Sequence, residues 1–422
     1  MSQDFIRCAS ALKRVLSEER VNTIASEATF FQRLRKLTPI RTIWTFVTAM
    51  GSGTANSLAG ILRLFTVLTG ESMSYKPFHD RLSVAGFPEF MRQSLTLFMS
   101  ELSEPIRHGR SRYLRRFEDI VVQDGSSFEV NDALVDRFPG RFTKISPAAI
   151  EVHCTYSLYD GQPVAVAVAP DSQTERDFLP EPEEVSGKLI LGDKGYTSYE
   201  YAARVKAAGG DFLGRMSHKA FNPKILKCYR GPFKHCAMEG MKLRDLELPK
   251  SNVDLLIEGK GYRLRLVIFY VRSKDVHVYL LTTLCPQVFP PSIVAALYRL
   301  RWQVELFFKE CKSFTNLRKF QTKDPHIVEG LVWASMLAVL VRRFLLYSAF
   351  RNTGKHAAPF IAADLSWTFF RDVGRACISR PRSLVTMLKQ VLLLLRSTAE
   401  RTNPQTKNSF ETVDIDPVIS YR

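Results

Sequence analysis

The hydrophobic period of this chain changes twice, and no other feature limits the folds open to it as much. Over the first 116 residues apolar side chains recur at helical spacing, as at Leu58, Ile61, Leu62, Phe65 and Leu68. From residue 117 the pattern turns to short apolar or alternating runs closed by Gly, Asp and Ser. After Pro290-Pro291 it becomes helical again. Such a chain needs a sheet in its middle and helices at both ends, a mixed α/β architecture.

Within the middle part, Ile120-Val121-Val122-Gln123 predicts a buried strand ending at Asp124-Gly125. Val152–Leu158 and Pro163–Ala169 flank Asp160-Gly161, a strong hairpin signal. An acidic connector (Glu175, Asp177, Glu181, Glu183, Glu184) leads to a strand over Lys188–Gly192 that stops at Asp193-Lys194-Gly195-Tyr196. A helix over Tyr199–Ala208 and a strand over Asp211–Arg215 follow. The runs Val253–Glu258, Tyr262–Val271 and Val276–Thr283 read as a separate β insertion within 217–290. Helices are then predicted over 291–315, 326–351, 359–373 and 381–397, with a polar tail from residue 403. In the N-terminal part, Leu58–Leu68, the turn Gly70-Glu71-Ser72 and a second short helix carrying Lys76, His79 and Arg81 read as a helix-turn-helix.

Charge narrows the partner. The 422 residues carry a formal +17. Residues 1–116 hold 17 Lys and Arg against 9 Asp and Glu, residues 117–312 hold 26 against 25, and residues 313–422 hold 16 against 8. Two basic flanks of +8 thus bracket a neutral centre of +1, which suits a polyanion whose phosphates release counterions on binding. Five arginines between Arg107 and Arg116 read as a basic hinge or DNA-tracking segment. The apolar stretch Leu331–Val341 is about half the roughly 20 residues of a membrane span, and Arg342 and Arg343 end it. With Asp4 near the start and no signal-peptide pattern, the expected location is the cytoplasm. Seven dispersed cysteines fit a reducing compartment. Cys228, His235 and Cys236 cluster without a fourth ligand or CxxC spacing, and read as ordinary thiols rather than a zinc site.

The candidate chemistry lies in carboxylates. Asp124 and Asp193 each follow a strand, and carboxylates at neighbouring strand ends suit hard, oxygen-seeking cations. Taken singly, each Asp with its nearby Gly reads as a turn. The helix predicted over 291–315 adds Tyr298, Arg301, Glu305 and Lys312, whose steps of three, four and seven residues align them on one face. Leu297, Leu300, Val304 and Phe308 form the neighbouring apolar stripe. The plain alternative for Arg301 and Glu305 is an i,i+4 surface ion pair.

The spacing Y-x2-R-x3-E-x6-K, inside Tyr298-Arg299-Leu300-Arg301-Trp302-Gln303-Val304-Glu305, resembles the signature of bacterial insertion-sequence DDE transposases of the YREK group. The order Asp124, Asp193, Glu305, with separations of 69 and 112, matches that family's acidic triad, and Asp193-Lys194-Gly195-Tyr196 resembles its second-aspartate motif. The likeness covers about residues 115–320. It implies a ribonuclease-H-like core in which Asp124, Asp193 and Glu305 are catalytic and hold Mg²⁺, with Mn²⁺ as a possible substitute. Two ions about 3.5–4 Å apart would clamp an in-line displacement at phosphorus. Tyr298, Arg301 and Lys312 would contact DNA. Trp302 reads as core, with stacking on an unpaired base as its other role; Lys309 reads as a phosphate contact or as the partner of Glu305, and Lys194 has the same ambiguity.

The organisation expected is a helical DNA-binding domain (1–116), a first part of the core (117–216), the β insertion (217–290), a catalytic helix (291–322), a helical C-terminal region (323–402) for DNA contacts or dimerisation, and a flexible tail (403–422). The partners implied are double-stranded DNA, both terminal inverted repeats and target, and a second copy of the chain on that DNA. The rival readings are a ribonuclease-H-like nuclease without strand transfer and a non-catalytic DNA-binding regulator.

Overall fold

A computed structural model describes residues 2–31, 36–103, 111–217, 221–231, 239–315, 321–351, 353, 355–379 and 384–401. Arg107, Arg110, His235, Cys236 and the tail from 403 lie outside these residues.

Six helices open the chain: α1 (Ser2–Val15), α2 (Glu18–Glu27), α3 (Pro39–Ser52), α4 (Leu58–Thr69), α5 (Tyr75–Leu82) and α6 (Gly86–Glu101). Their ends follow local chemistry. The Thr38 and Ser57 hydroxyls accept from the N–H groups of Arg41 and Gly60, and Gly53 and Gly70 close α3 and α4 in the left-handed region. The α4–α5 pair is the one read as a helix-turn-helix. Lys76 is exposed, while Arg81 reaches back to the Phe30 carbonyl.

The centre is one sheet of ten strands: β1 (Ile120–Glu129), β2 (Pro139–Phe142), β3 (Ser146–Ser157), β4 (Gln162–Pro170), β5 (Leu189–Gly192), β6 (Asp211–Met216), β7 (Lys224–Arg230), β8 (Val253–Gly259), β9 (Tyr262–Val271) and β10 (Val276–Thr282). Helix α7 (Tyr199–Ala207) crosses between the parallel strands β5 and β6. The order β4-β3-β1-β5-β6, with β3 antiparallel to its neighbours and β1, β5 and β6 parallel, is the ribonuclease-H-like core. Beyond it the sheet continues as β10-β9-β8-β7. The expectation of a separate β insertion is corrected here: β10 pairs with the open edge of β6, Leu281 opposite Gly214, so the backbone groups of that edge are satisfied by the insertion itself.

Three further expectations change. β1 does not stop at Asp124-Gly125 but runs on to Glu129, because β3 is long enough to pair with it throughout. The helix expected over 291–315 is two, α8 (Pro291–Arg299) and α9 (Trp302–Phe314), joined at Leu300-Arg301 by a tightened turn in which N–H groups bond three residues back. The helix expected over 359–373 is likewise two, α11 (Pro359–Asp364) and α12 (Ser366–Ser379), the last helices being α10 (Pro325–Phe350) and α13 (Leu384–Thr398).

Strand alternation divides the core. Ile120, Val122, Leu189 and Leu191 face a helical layer in which the N-terminal helices pack with α10, α12 and α13, whereas Val121, Ile190 and Phe212 face α7. Helix α10 is long and apolar enough to cross a membrane by length and composition, yet 94% of its most apolar window is buried within the protein. Arg342 and Arg343 end the apolar run but not the helix. Both are buried and both donate to Glu310 of α9, at 2.9 and 2.8 Å. Arg343 also donates to the Gly161 carbonyl and the Tyr156 hydroxyl, and Arg342 to the Gly51 carbonyl of α3. One buried carboxylate therefore ties α9 to α10, the sheet and the N-terminal helices. Glu310→Ala should cost about 3–5 kcal/mol by leaving two buried guanidiniums unpaired. Glu101→Ala, which breaks the surface pairs with Arg14 and Arg20, should cost at most about 1 kcal/mol each; urea unfolding of both variants checks the contrast.

Candidate active site

The last residues of β1 and β5 paired in parallel register are Gln123 and Gly192. Asp124 comes next on β1 and Asp193 directly after β5, close enough for the Asp193 charge to act on Asp124. The Asp193 turn is closed by the N–H of Tyr196 and the hydroxyl of Thr197, both donating to the Asp193 carbonyl. Behind it the Ser198 hydroxyl caps α7. Glu305 approaches from α9, whose opposite side buries Val304, Phe307, Phe308 and Cys311.

Arg301 sits at the α8–α9 junction and joins these parts. Its Nη1 donates to Asp124 Oδ2 at 3.0 Å and its Nη2 to Glu305 Oε1, with the Arg301 and Asp124 side chains only 16% and 14% exposed. The i,i+4 pair offered as the plain alternative does form, but it is recruited into the site rather than lying on an open surface. Tyr298 donates to Asp193 Oδ1 at 3.4 Å, with the Arg301 guanidinium 5.9 Å from its ring centre. Burial pushes Asp124 up to about 6 against the pull of Arg301 and the Gly125 N–H, and the charges of Asp193 and Glu305 add to the rise. Burial also raises the Tyr298 phenol, helped by Asp193. Burial works against the Arg301 charge, but Tyr298 and the three carboxylates outweigh it and raise its pKa.

Three carboxylates on three elements are the hard donor set that a divalent cation takes. Among the described residues, however, no three His, Cys, Asp or Glu side chains close on a common point as metal ligands would. The reason is visible in the geometry: one guanidinium bridges Asp124 and Glu305, using oxygens a cation would need.

The remaining sequence candidates separate. Trp302 was expected in the core and is instead 55% exposed, because the turn at 300–301 rotates the start of α9 outward. Lys312 lies over the Phe128 ring at 5.1 Å. Lys309 is exposed and sits 5.4 Å from the Phe360 ring, while Glu305 pairs with Arg301. Lys194 is exposed. At the other end of α8, a cleft of about 520 Å³ is lined by Arg112, Arg230, Asn252, Gln287 and Ser292 among others. Sequence reading missed Glu151 and His153, buried on β3 opposite Ser127 and Gly125. Their signal was present: ionisable residues two apart within a strand that is otherwise uncharged. Arg301→Ala should lower stability in metal-free buffer by about 1–3 kcal/mol, since two carboxylates lose their shared counter-ion. Added divalent cation should then raise the melting temperature more in the variant than in the parent protein, a comparison made by thermal denaturation with and without the ion.

Comparison with known proteins supplies the family. Residues 115–341 match the family described as Transposase DDE domain. The chain is 21% identical to the transposase for insertion sequence element IS231C of Bacillus thuringiensis subsp. berliner, over 94% of this chain and 92% of that one. It is 19% identical to the transposase for insertion sequence element IS1151 of Clostridium perfringens, over 81% and 80%. A cryo-EM structure of a piggyBac transposase synaptic complex with hairpin DNA aligns at 13% identity and a TM-score of 0.49, covering 95% of this chain and 87% of that one. The family match takes in β1, β5 and α9 and so spans every carboxylate of the site: the protein belongs to the DDE transposase family.

Proposed function

We propose that this transposase belongs to the YREK group, binds the terminal inverted repeats of its element, cuts their 3′ ends and joins them to target DNA by direct transesterification. The observation that carries the reading is that Asp124 of β1 and Glu305 of α9 share the Arg301 guanidinium while Asp193, directly after the paired strand β5, is held by Tyr298.

Asp124, Asp193 and Glu305 would hold Mg²⁺, or Mn²⁺ in its place, and such ions would supply an activated hydroxyl nucleophile and charge neutralisation at the leaving oxygen. The chain's own residues do the rest. Arg301 leaves the carboxylates for the phosphate next to the scissile bond, where its fork matches two phosphate oxygens. Tyr298 keeps its proton and donates it in a hydrogen bond, to Asp193 at rest and to a phosphate when DNA is bound. Exposed Trp302, next to Arg301, offers a face on which an unpaired base stacks. Lys312 and Lys309 add point charges along α9. The exposed arginines of 111–116 and the basic rim of the 520 Å³ cleft carry the duplex away from the site. Two ends are processed together, which calls for a homodimer on the DNA.

Purified protein, element-end duplex, supercoiled plasmid and Mg²⁺ should yield joined product; free cut ends alone would mean a nuclease. Asp124→Asn, Asp193→Asn and Glu305→Gln should each lower cleavage by about 10³-fold or more, with end binding retained in a gel-shift assay. Full cleavage by these variants would refute the site.

A further inference from the structure

Both aspartates stand near a glycine, Gly125 and Gly195, and neither glycine occupies the left-handed region that would make it a turn requirement. What each one makes room for is a side chain. A Cβ on Gly125 would come 2.5 Å from Glu151 Oε1 and 2.9 Å from the Tyr196 hydroxyl, and a Cβ on Gly195 would overlap the Glu175 carboxylate. These groups belong to a polar cluster behind the active site in which Glu151, His153 and Tyr196 are buried. The Tyr196 hydroxyl meets His153 Nδ1 at 3.0 Å. His153 Nε2 is buried without a hydrogen-bond partner and faces Glu151 Oε2 at 3.7 Å. Arg141 holds Glu151 and Glu175 at 3.0 and 2.9 Å, and its backbone N–H donates to Asp171. The His153 ring stacks on Phe178, with centroids 3.7 Å apart and planes 8° apart.

The placement of this cluster is what matters. Tyr196 closes the turn that carries Asp193, and His153 pairs on β3 with Gly125, the residue after Asp124. We propose that Glu151, His153 and Tyr196 form a positioning brace that sets the separation of Asp124 and Asp193 and thereby the geometry offered to the divalent cations; this rests on the metal-dependent reading above. The tyrosine hydroxyl donates to Nδ1, the imidazole proton sits on Nε2, and Nε2–H points to the carboxylate that Arg141 anchors. Burial, which pushes His153 down to about 4, keeps the ring neutral as this chain of donors requires. Groups that hold ligands in place commonly set metal affinity nearly as strongly as the ligands do.

Tyr196→Phe removes one oxygen and keeps the ring. In the full chain bound to element-end DNA, Mn²⁺ titration followed by electron paramagnetic resonance should show binding weakened by about 10-fold to 100-fold. The Mg²⁺ needed for half-maximal cleavage should rise in parallel, and Mn²⁺ should recover more of the rate, because Mg²⁺ demands near-ideal octahedral geometry. End-DNA affinity should stay within about twofold. His153→Asn, which keeps an acceptor where Nδ1 stood, should lose less than Tyr196→Phe, and Gly125→Ala, which displaces Glu151, should reproduce its defect. Parent-like Mn²⁺ affinity in Tyr196→Phe, or an equal fall in DNA affinity, melting temperature and rate, would overturn the brace. Asp193→Asn is run alongside: if it cleaves like the parent, the metal-site reading fails and the brace with it, whereas an inactive Asp193→Asn beside a Tyr196→Phe of parent-like Mn²⁺ affinity overturns the brace alone.

Discussion

The parallel ladder between β1 and β5 runs for four residue pairs and stops at Gln123 opposite Gly192. Because side chains alternate along a strand, a slip of one residue would send one of the two following aspartates to the opposite face. That register is guarded by burial on both sides: Ile120, Val122, Leu189 and Leu191 fill the helical face, and Val121 and Ile190 the other. Two like charges are thus forced together by apolar packing that has nothing to do with chemistry. The rise of Asp124 to about 6 records the cost of burying that carboxylate.

A third carboxylate on another element needs its own anchor. Helix α9 has two, an apolar side inserted into the core and Glu310 held between Arg342 and Arg343. The second anchor reaches farther, since the same arginines bind β3, the turn at Gly161 and the end of α3. Buried ions of this kind contribute little net stability compared with an apolar replacement, but they penalise any arrangement that separates them. The position of Glu305 therefore depends on the N-terminal helices and the sheet together.

Arg301 gives the resting site its charge balance. One guanidinium shared by Asp124 and Glu305 offsets the repulsion between these two carboxylates. Under the proposed reaction, the group that stabilises the site at rest is also the one that turns to phosphate.

Much of this was legible in one dimension. The change of period marked the sheet and its helical flanks, and Tyr298, Arg301 and Glu305 do meet even though a turn interrupts the helix expected there. Trp302 misled because its size argues for burial, whereas a local tightening of the backbone exposes it. The insertion looked separate because strand patterning cannot show which edge a strand will meet; hydrogen bonding to β6 made it part of the same sheet. Glu151 and His153 stayed hidden because their partners, Arg141 and Tyr196, come from other strands and turns. By itself the sequence determined element types and the basic flanks and offered the candidate carboxylates, all of which are read from local spacing, composition and motif. Only the tertiary structure decided which carboxylates meet, which arginine bridges them and what stands behind each glycine, because those are contacts between residues far apart along the chain.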